Sequence, residues 1–223
     1  DKTIPGTLMG LARLDLPSLV LYGGSIHPGR FQGRDVTVQD VFEGVGAVAS
    51  GRMSKQDLEE LESSACPGAG ACGGQFTANT MATALAFLGV SPPTQGDLPA
   101  MHPKKDEAAF EAGQLVMKAL RSKRKLSTIV TKRSFENAAA SVAASGGSTN
   151  AVLHLLALAQ EFDVEFGLDD FEAVAARTPV LADMKPGGRF TAVDLFNAGG
   201  TMLLALRLME AGLLHNQETV MGR

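Results

Sequence analysis

The chain has no tryptophan, one tyrosine and two cysteines in 223 residues, and only 5% of it is aromatic. Cysteine use this low argues against a disulfide-stapled secreted domain. It argues equally against a structural zinc site, which gathers four Cys or His ligands at short spacings; none of His27, His102, His154 and His215 stands beside the cysteines. Positive charge is not in excess either. A formal net charge of −4 with so few aromatics speaks against a nucleic-acid-binding surface. The one basic cluster, Lys118, Arg121, Lys123, Arg124 and Lys125, reads as a solvated helix end and linker. No apolar run reaches the roughly 20 residues of a membrane span, and no internal repeat or low-complexity tract is present. No initiator methionine or targeting segment opens the chain, so Asp1-Lys2-Thr3-Ile4-Pro5-Gly6 reads as the start of a piece cut from a longer protein.

What is present suffices for a core. At 45% hydrophobic, 223 residues can form one domain or most of one. Pro5 suits a first helical turn, and Leu8, Leu11, Ala12 and Leu14 give that helix an apolar face ending before Pro17. Ser18 to Tyr22 reads as a buried parallel strand, with Gly23-Gly24 as the turn that ends it. Turns of this kind carry active-site loops in open α/β sheets, although the spaced glycines of a dinucleotide site are missing. Further helices are expected at 40–49, 54–62 with Ser54 and Asp57 as a capping pair, 79–88 stopped by Gly89, 105–121, 134–144, 149–162, 169–176 and 201–211. Pro92, Pro93, Gly96, Pro99 and Pro103 mark a long irregular loop, and Pro186-Gly187-Gly188 is another break. The pattern predicts an α/β fold, helix-rich around a small, mainly parallel sheet.

Both cysteines fall in one glycine-rich loop, Cys66-Pro67-Gly68-Ala69-Gly70-Ala71-Cys72-Gly73-Gly74-Gln75-Phe76-Thr77-Ala78-Asn79-Thr80-Met81, which runs into a helix. Its glycines allow close backbone approach, so a bulky inorganic ligand could be wrapped by main chain, and a helix start near Thr77 favours an anion or thiolate. From the residues alone four uses stay open: a metal or cluster ligand, a Cys66–Cys72 disulfide with redox activity, zinc, or two small apolar side chains in a tight turn. A second loop, Ser145-Gly146-Gly147-Ser148-Thr149-Asn150, precedes the apolar run Val152 to Leu158. Ser148 or Thr149 is placed to cap that helix, and free N–H groups there could receive a substrate carboxylate. His154 lies on an otherwise apolar helix and reads as an interior or interface histidine.

Taken together, Asp1-Lys2-x-x-Pro5-Gly6, the cysteine loop, Gly146 to Asn150 with Leu153-His154-Leu155, Gly199-Gly200 and Ala211-Gly212-Leu213-Leu214 resemble the dihydroxy-acid/6-phosphogluconate dehydratase family. The motifs occur in the family's order over essentially the whole chain. Cys-Gly-Gly-x-Phe is the form found in the dihydroxy-acid branch. Gln75 departs from the methionine more usual there, and its amide would alter hydrogen bonding to a cluster.

The resemblance implies that residues 1–223 are part of a single N-terminal iron–sulfur dehydratase domain whose C-terminal β-rich partner, carrying a serine base, lies outside this sequence. It implies three cluster cysteines, of which Cys72 alone is here, while Cys66 is either a packing residue or one that stands behind the ligands. Thiolates suit iron–sulfur clusters, and an iron without a protein ligand acts as a Lewis acid. The expected cluster is 2Fe–2S rather than 4Fe–4S. Asp1 and Lys2, the lysine as a carbamate, match the positions that bind Mg²⁺. No base is expected within 1–223, so this piece alone is expected to be inactive. The implied reaction removes water from 2,3-dihydroxy-3-methyl carboxylic acids to give 2-oxo acids in valine and isoleucine biosynthesis. Two rival readings are a sugar-acid (aldonate or 6-phosphogluconate) dehydratase and a non-catalytic anion-binding domain. Ser148 and Thr149 are the substrate-loop candidates. The expected partners are a small dihydroxy acid and a second copy in a homodimer, with no nucleic acid or membrane. A thiolate-ligated cluster implies a reducing compartment: the cytoplasm, or a plastid or mitochondrion in a eukaryote.

Overall fold

The computed structural model of the chain describes residues 2–222. Its elements are α1 (Thr3–Leu14), β1 (Gly29–Phe31), β2 (Arg34–Val36), α2 (Val38–Ala49), α3 (Lys55–Ala65), α4 (Thr77–Phe87) and α5 (Pro93–Gly96). There follow α6 (Lys105–Arg121), a 3₁₀ turn at Leu126–Thr128, α7 (Lys132–Ala144), α8 (Asn150–Glu161), α9 (Leu168–Arg177), α10 (Ala192–Ala198) and α11 (Gly200–Glu210). Among the described residues no single helix is long and apolar enough to cross a membrane.

The centre of the molecule is the α4–α7 pair. Helix α4 is rich in Ala and Thr and α7 in Ala and Ser, and α4 is buried on nearly every side, as expected of a helix without a polar face. Small side chains let the axes approach closely. Met81 and Leu85 from α4, with Leu88 just past its end, meet Phe135 from α7, Leu155 and Leu158 from α8, and Leu208 from α11 in one core. Phe135 stacks on Phe166 at 5.4 Å between ring centroids. A smaller cluster of Phe31, Val36, Leu61 and Ala65 joins the hairpin to α3. Helix ends follow the local chemistry: Ser54 accepts a hydrogen bond from Asp57 N–H at 3.0 Å, as the Ser/Asp spacing predicts.

The expected parallel sheet is not formed. Among the described residues the one sheet is the two-stranded antiparallel β1–β2 hairpin, with Gly29 opposite Val36 and Phe31 opposite Arg34. Its turn residues, Gln32 and Gly33, both have positive φ (48° and 79°), the geometry that matches a tight hairpin to strand twist. Parallel pairing is confined to the isolated bridges Ser25–Ala71 and Met184–Phe190. Ser18 to Tyr22 is not a strand. Its Val20 N–H is spent on the Val90 carbonyl at 2.9 Å, a single bond to a loop that cannot propagate into a ladder. Leu19 and Val20 still pack on the core, which is the origin of the apolar run. The strand signal was a packing signal.

Candidate functional site

The cysteine loop is held against the body of the chain by its main chain. Ala71 N–H donates to the Gly24 carbonyl (2.9 Å), Ile26 N–H to the Ala71 carbonyl (2.7 Å), Ala192 N–H to the Gly73 carbonyl (2.6 Å), and Gln75 N–H to the Lys185 carbonyl (2.7 Å). Three segments distant in sequence therefore clamp it. The Gly23-Gly24 turn is brought beside the loop, although the strand it was expected to end is not formed.

The loop's glycines serve this clamping rather than a wrapped ligand. A Cβ on Gly70, whose φ is +134°, would stand 2.5 Å from Ile26 N, and one on Gly74 would stand 2.9 Å from the Lys185 carbonyl oxygen. Protein already fills the space that the missing side chains leave.

Asn79 and Tyr22 fix the conformation at Cys72. Asn79, in the first turns of α4 and 5% exposed, donates through Nδ2 to the carbonyls of both Cys72 (2.5 Å) and Gly74 (2.6 Å). The Tyr22 hydroxyl donates to Asn79 Oδ1 at 2.7 Å, which settles the amide's orientation. Burial first, and then the neighbouring Cys72 sulfur, raise the Tyr22 pKa, so the phenol stays protonated and donating. Lys105 Nζ in turn donates to the carbonyls of Tyr22 (2.8 Å) and Leu98 (3.2 Å). Burial lowers its pKa, while the Asp97 carboxylate works against that. A cavity of about 30 Å³ behind Asn79, lined by Tyr22, Ser25, Thr83, Asp97 and Thr201, is sized for a water and not for an organic acid.

Cys72 is half-buried and Cys66 exposed, both as free thiols. Cys66 is thus not packed away, and of the two roles expected of it only a place beside the Cys72 thiol is left. Its helix α3 ends at Ala65, which carries the apolar contact instead. Burial, followed by the proximity of Cys66, holds the Cys72 thiol above its ordinary pKa. Such a thiol is neutral until a metal displaces its proton. Cys72 therefore fits as one thiolate ligand on a rigid support. Among the described residues no group of three or more His, Cys, Asp or Glu side chains is arranged to hold a metal.

Gln75 does not face the sulfur site as expected. It is 1% exposed, and its Nε2 donates to Ser145 Oγ (3.1 Å) and Thr83 Oγ1 (3.4 Å), tying α4 to the end of α7. An amide in a closed helix–helix contact satisfies itself there.

The Gly146 to Asn150 loop docks on the start of α4, directly after the cysteine loop. Ser148 and Thr77 hydroxyls lie 3.0 Å apart, Asn150 Nδ2 donates to Thr77 Oγ1 (2.9 Å), and Ser148 N–H donates to Thr80 Oγ1 (2.9 Å). Thr149 occupies the N-cap position of α8 without a side-chain cap bond; Ser148 Oγ accepts from Asn150 N–H instead, at 3.3 Å. Ala151 and Val152 N–H groups donate to Ser148 and Thr149 carbonyls. With these donors engaged, Gly146, Thr149 and Asn150 are the exposed residues of this loop; the Asn150 amide is spent on Thr77, while Thr149 makes no side-chain cap bond.

Lys2 is exposed at the N-cap position of α1. Asp1 lies outside the described residues. The half-buried His154 of α8 has its pKa lowered by burial and then by the Lys2 charge, which places Lys2 and His154 within electrostatic reach.

Residues 1–223 match in full the family model for the dihydroxy-acid/6-phosphogluconate dehydratase N-terminal region. The chain belongs to that family. Curated dehydratase relatives match over all of it: the dihydroxy-acid dehydratase of Koribacter versatilis at 59% identity, that of Thermus thermophilus at 54% and that of Haloarcula marismortui at 51%. The chain spans about 40% of the length of these relatives. Within this dehydratase region, sequence reasoning named Cys72, Ser148 and Thr149 as candidates and did not anticipate the buried hydrogen bonds of Asn79, Tyr22 and Lys105. A polar Asn inside an apolar helix was the available signal for Asn79.

Proposed function

We propose that the complete protein is a dihydroxy-acid dehydratase. It removes water from 2,3-dihydroxy-3-methyl carboxylic acids to form 2-oxo acids in branched-chain amino-acid biosynthesis, in the cytoplasm or an equivalent reducing compartment. The observation that carries this is the match of the whole chain, at 51 to 59% identity, to proteins bearing that name. In this reading residues 1–223 form part of the N-terminal domain, with a β-rich C-terminal domain completing the site.

Cys72 contributes one of the thiolates of an iron–sulfur cluster, of 2Fe–2S type, and Asp1 and carbamylated Lys2 contribute oxygen ligands to Mg²⁺. The cluster and the ion, when bound, supply Lewis-acid activation of the hydroxyl that leaves and of the substrate's carboxylate end. The residues of this chain support that chemistry by position. Asn79 fixes the two carbonyls that flank the Cys72–Gly74 turn, Tyr22 fixes Asn79, and the Thr77–Ser148 contact sets the substrate loop beside the cysteine loop. Thr149 is the side chain offered to the substrate.

The test is anaerobic turnover by the full-length protein of 2,3-dihydroxy-3-methylbutanoate and of a sugar acid. Formation of 2-oxoisovalerate supports the reading. Turnover of the sugar acid alone moves the protein to the other branch of the family, and inactivity on both with no bound iron removes the assignment.

A further inference from the structure

Helix α6 carries an outer face that no described element covers. Ala108, Ala112 and Ala119 pack inward, and on the opposite side Phe110, Met117 and Leu120 are 70%, 46% and 53% exposed. Helical spacing sets Asp106, Phe110, Gly113, Met117 and Arg121 along one stripe. Gly113, at the centre of the stripe, has nothing within 4 Å of where a Cβ would stand. A glycine in a helix interior weakens the helix relative to alanine, and here no neighbour within the chain requires it.

We propose that this face packs against α6 of a second copy of the same chain, antiparallel and across a twofold axis at Gly113–Gln114. This register sets Phe110 opposite Met117 and lets the two backbones approach where no side chain intervenes. It also brings the acidic first half of the helix, with Asp106, Glu107 and Glu111, against the basic second half, with Lys118 and Arg121, of the other copy. Asp106 then faces Arg121 twice in each dimer. The helix dipole alone would favour acids early and bases late, but it calls for neither the apolar stripe nor the central glycine. The remainder of the full-length protein is the rival occupant. A helix face that complements itself under a twofold rotation is what an isologous contact requires, and a contact with an unrelated segment does not. The proposal is independent of the reaction catalysed.

The test is the dimer dissociation constant of the full-length protein, purified anaerobically, by sedimentation over a concentration series. Asp106→Arg and Arg121→Asp each place like charges opposite one another and weaken the dimer at least about tenfold. The double variant restores opposite charges and returns the constant close to that of the unaltered protein. Gly113→Gln strengthens the helix yet weakens the dimer by holding the two helices apart, which separates a pairing defect from a folding one. A monomeric full-length protein, or a dimer whose constant none of these variants moves, overturns the proposal.

Discussion

The hydroxyls of Ser148 and Thr77 lie 3.0 Å apart, joining two loops separated by 71 residues at the start of α4. Through this contact the turn that carries Cys72 and the loop that precedes α8 become one surface. Thr77 is 8% exposed and also accepts from Asn150 Nδ2, so it is the node at which the two motifs meet.

Removing that node uncouples the loops. Thr77→Val keeps the shape and leaves the Ser148 hydroxyl and the Asn150 amide short of a partner, costing about 1–3 kcal/mol. In a double-mutant cycle with Ser148→Ala, chemical denaturation should give a coupling of about 0.5 kcal/mol or more. Additive effects would mean that the loops are held together by other contacts.

Asn79→Ala removes two hydrogen bonds to the Cys72–Gly74 turn and strands the Tyr22 hydroxyl that donates to it. The expected loss is roughly 2–4 kcal/mol, at the upper end of ordinary substitutions. Tyr22→Phe should show a smaller loss in the same denaturation experiment, because Asn79 can keep both carbonyls. Equal losses would place the energy in the tyrosine rather than in the turn.

Much of the fold was legible because helix ends are written locally. Ser54 with Asp57, Gly89 and the proline breaks set boundaries within a few residues of those observed. The hairpin was not legible: Gln32-Gly33 is a weak turn signal, and its strands are three residues each. Helix α10, seven residues long, was hidden between two glycine pairs. At the candidate site, Cys72, Ser148 and Thr149 were nameable from loop composition alone. The roles of Asn79, Tyr22 and Lys105 were not, since each acts on main chain that only folding brings near. Gln75 was misread for the same reason: its partners Thr83 and Ser145 lie across a helix–helix contact.

Acid should loosen the segment that clamps the cysteine loop. Asp40 Oδ2 accepts from Thr37 N–H (2.8 Å) and pairs with Lys185 (3.1 Å), whose own carbonyl holds Gln75. Burial pushes the Asp40 pKa up, but the Thr37 and Lys185 interactions outweigh it and leave the group below its ordinary value. A depressed carboxylate stabilises the fold above its unfolded pKa, near 4, and that contribution is lost as pH falls through the lower folded value. Stability measured against pH should therefore drop on the acid side, and Asp40→Asn should flatten that drop while lowering stability at pH 7. An unchanged acid limb in Asp40→Asn would assign the dependence to other carboxylates.

In the proposed dehydratase Cys72, and not Cys66, ligates iron. The measurement is iron and acid-labile sulfide per chain, with the visible absorption spectrum, in anaerobically purified full-length protein and its Cys72→Ser and Cys66→Ser variants. Cys72→Ser is expected to lose most of the iron, sulfide and thiolate-to-iron absorption, while Cys66→Ser, altering an exposed side chain, keeps them. Full iron and an unchanged spectrum in Cys72→Ser would contradict it.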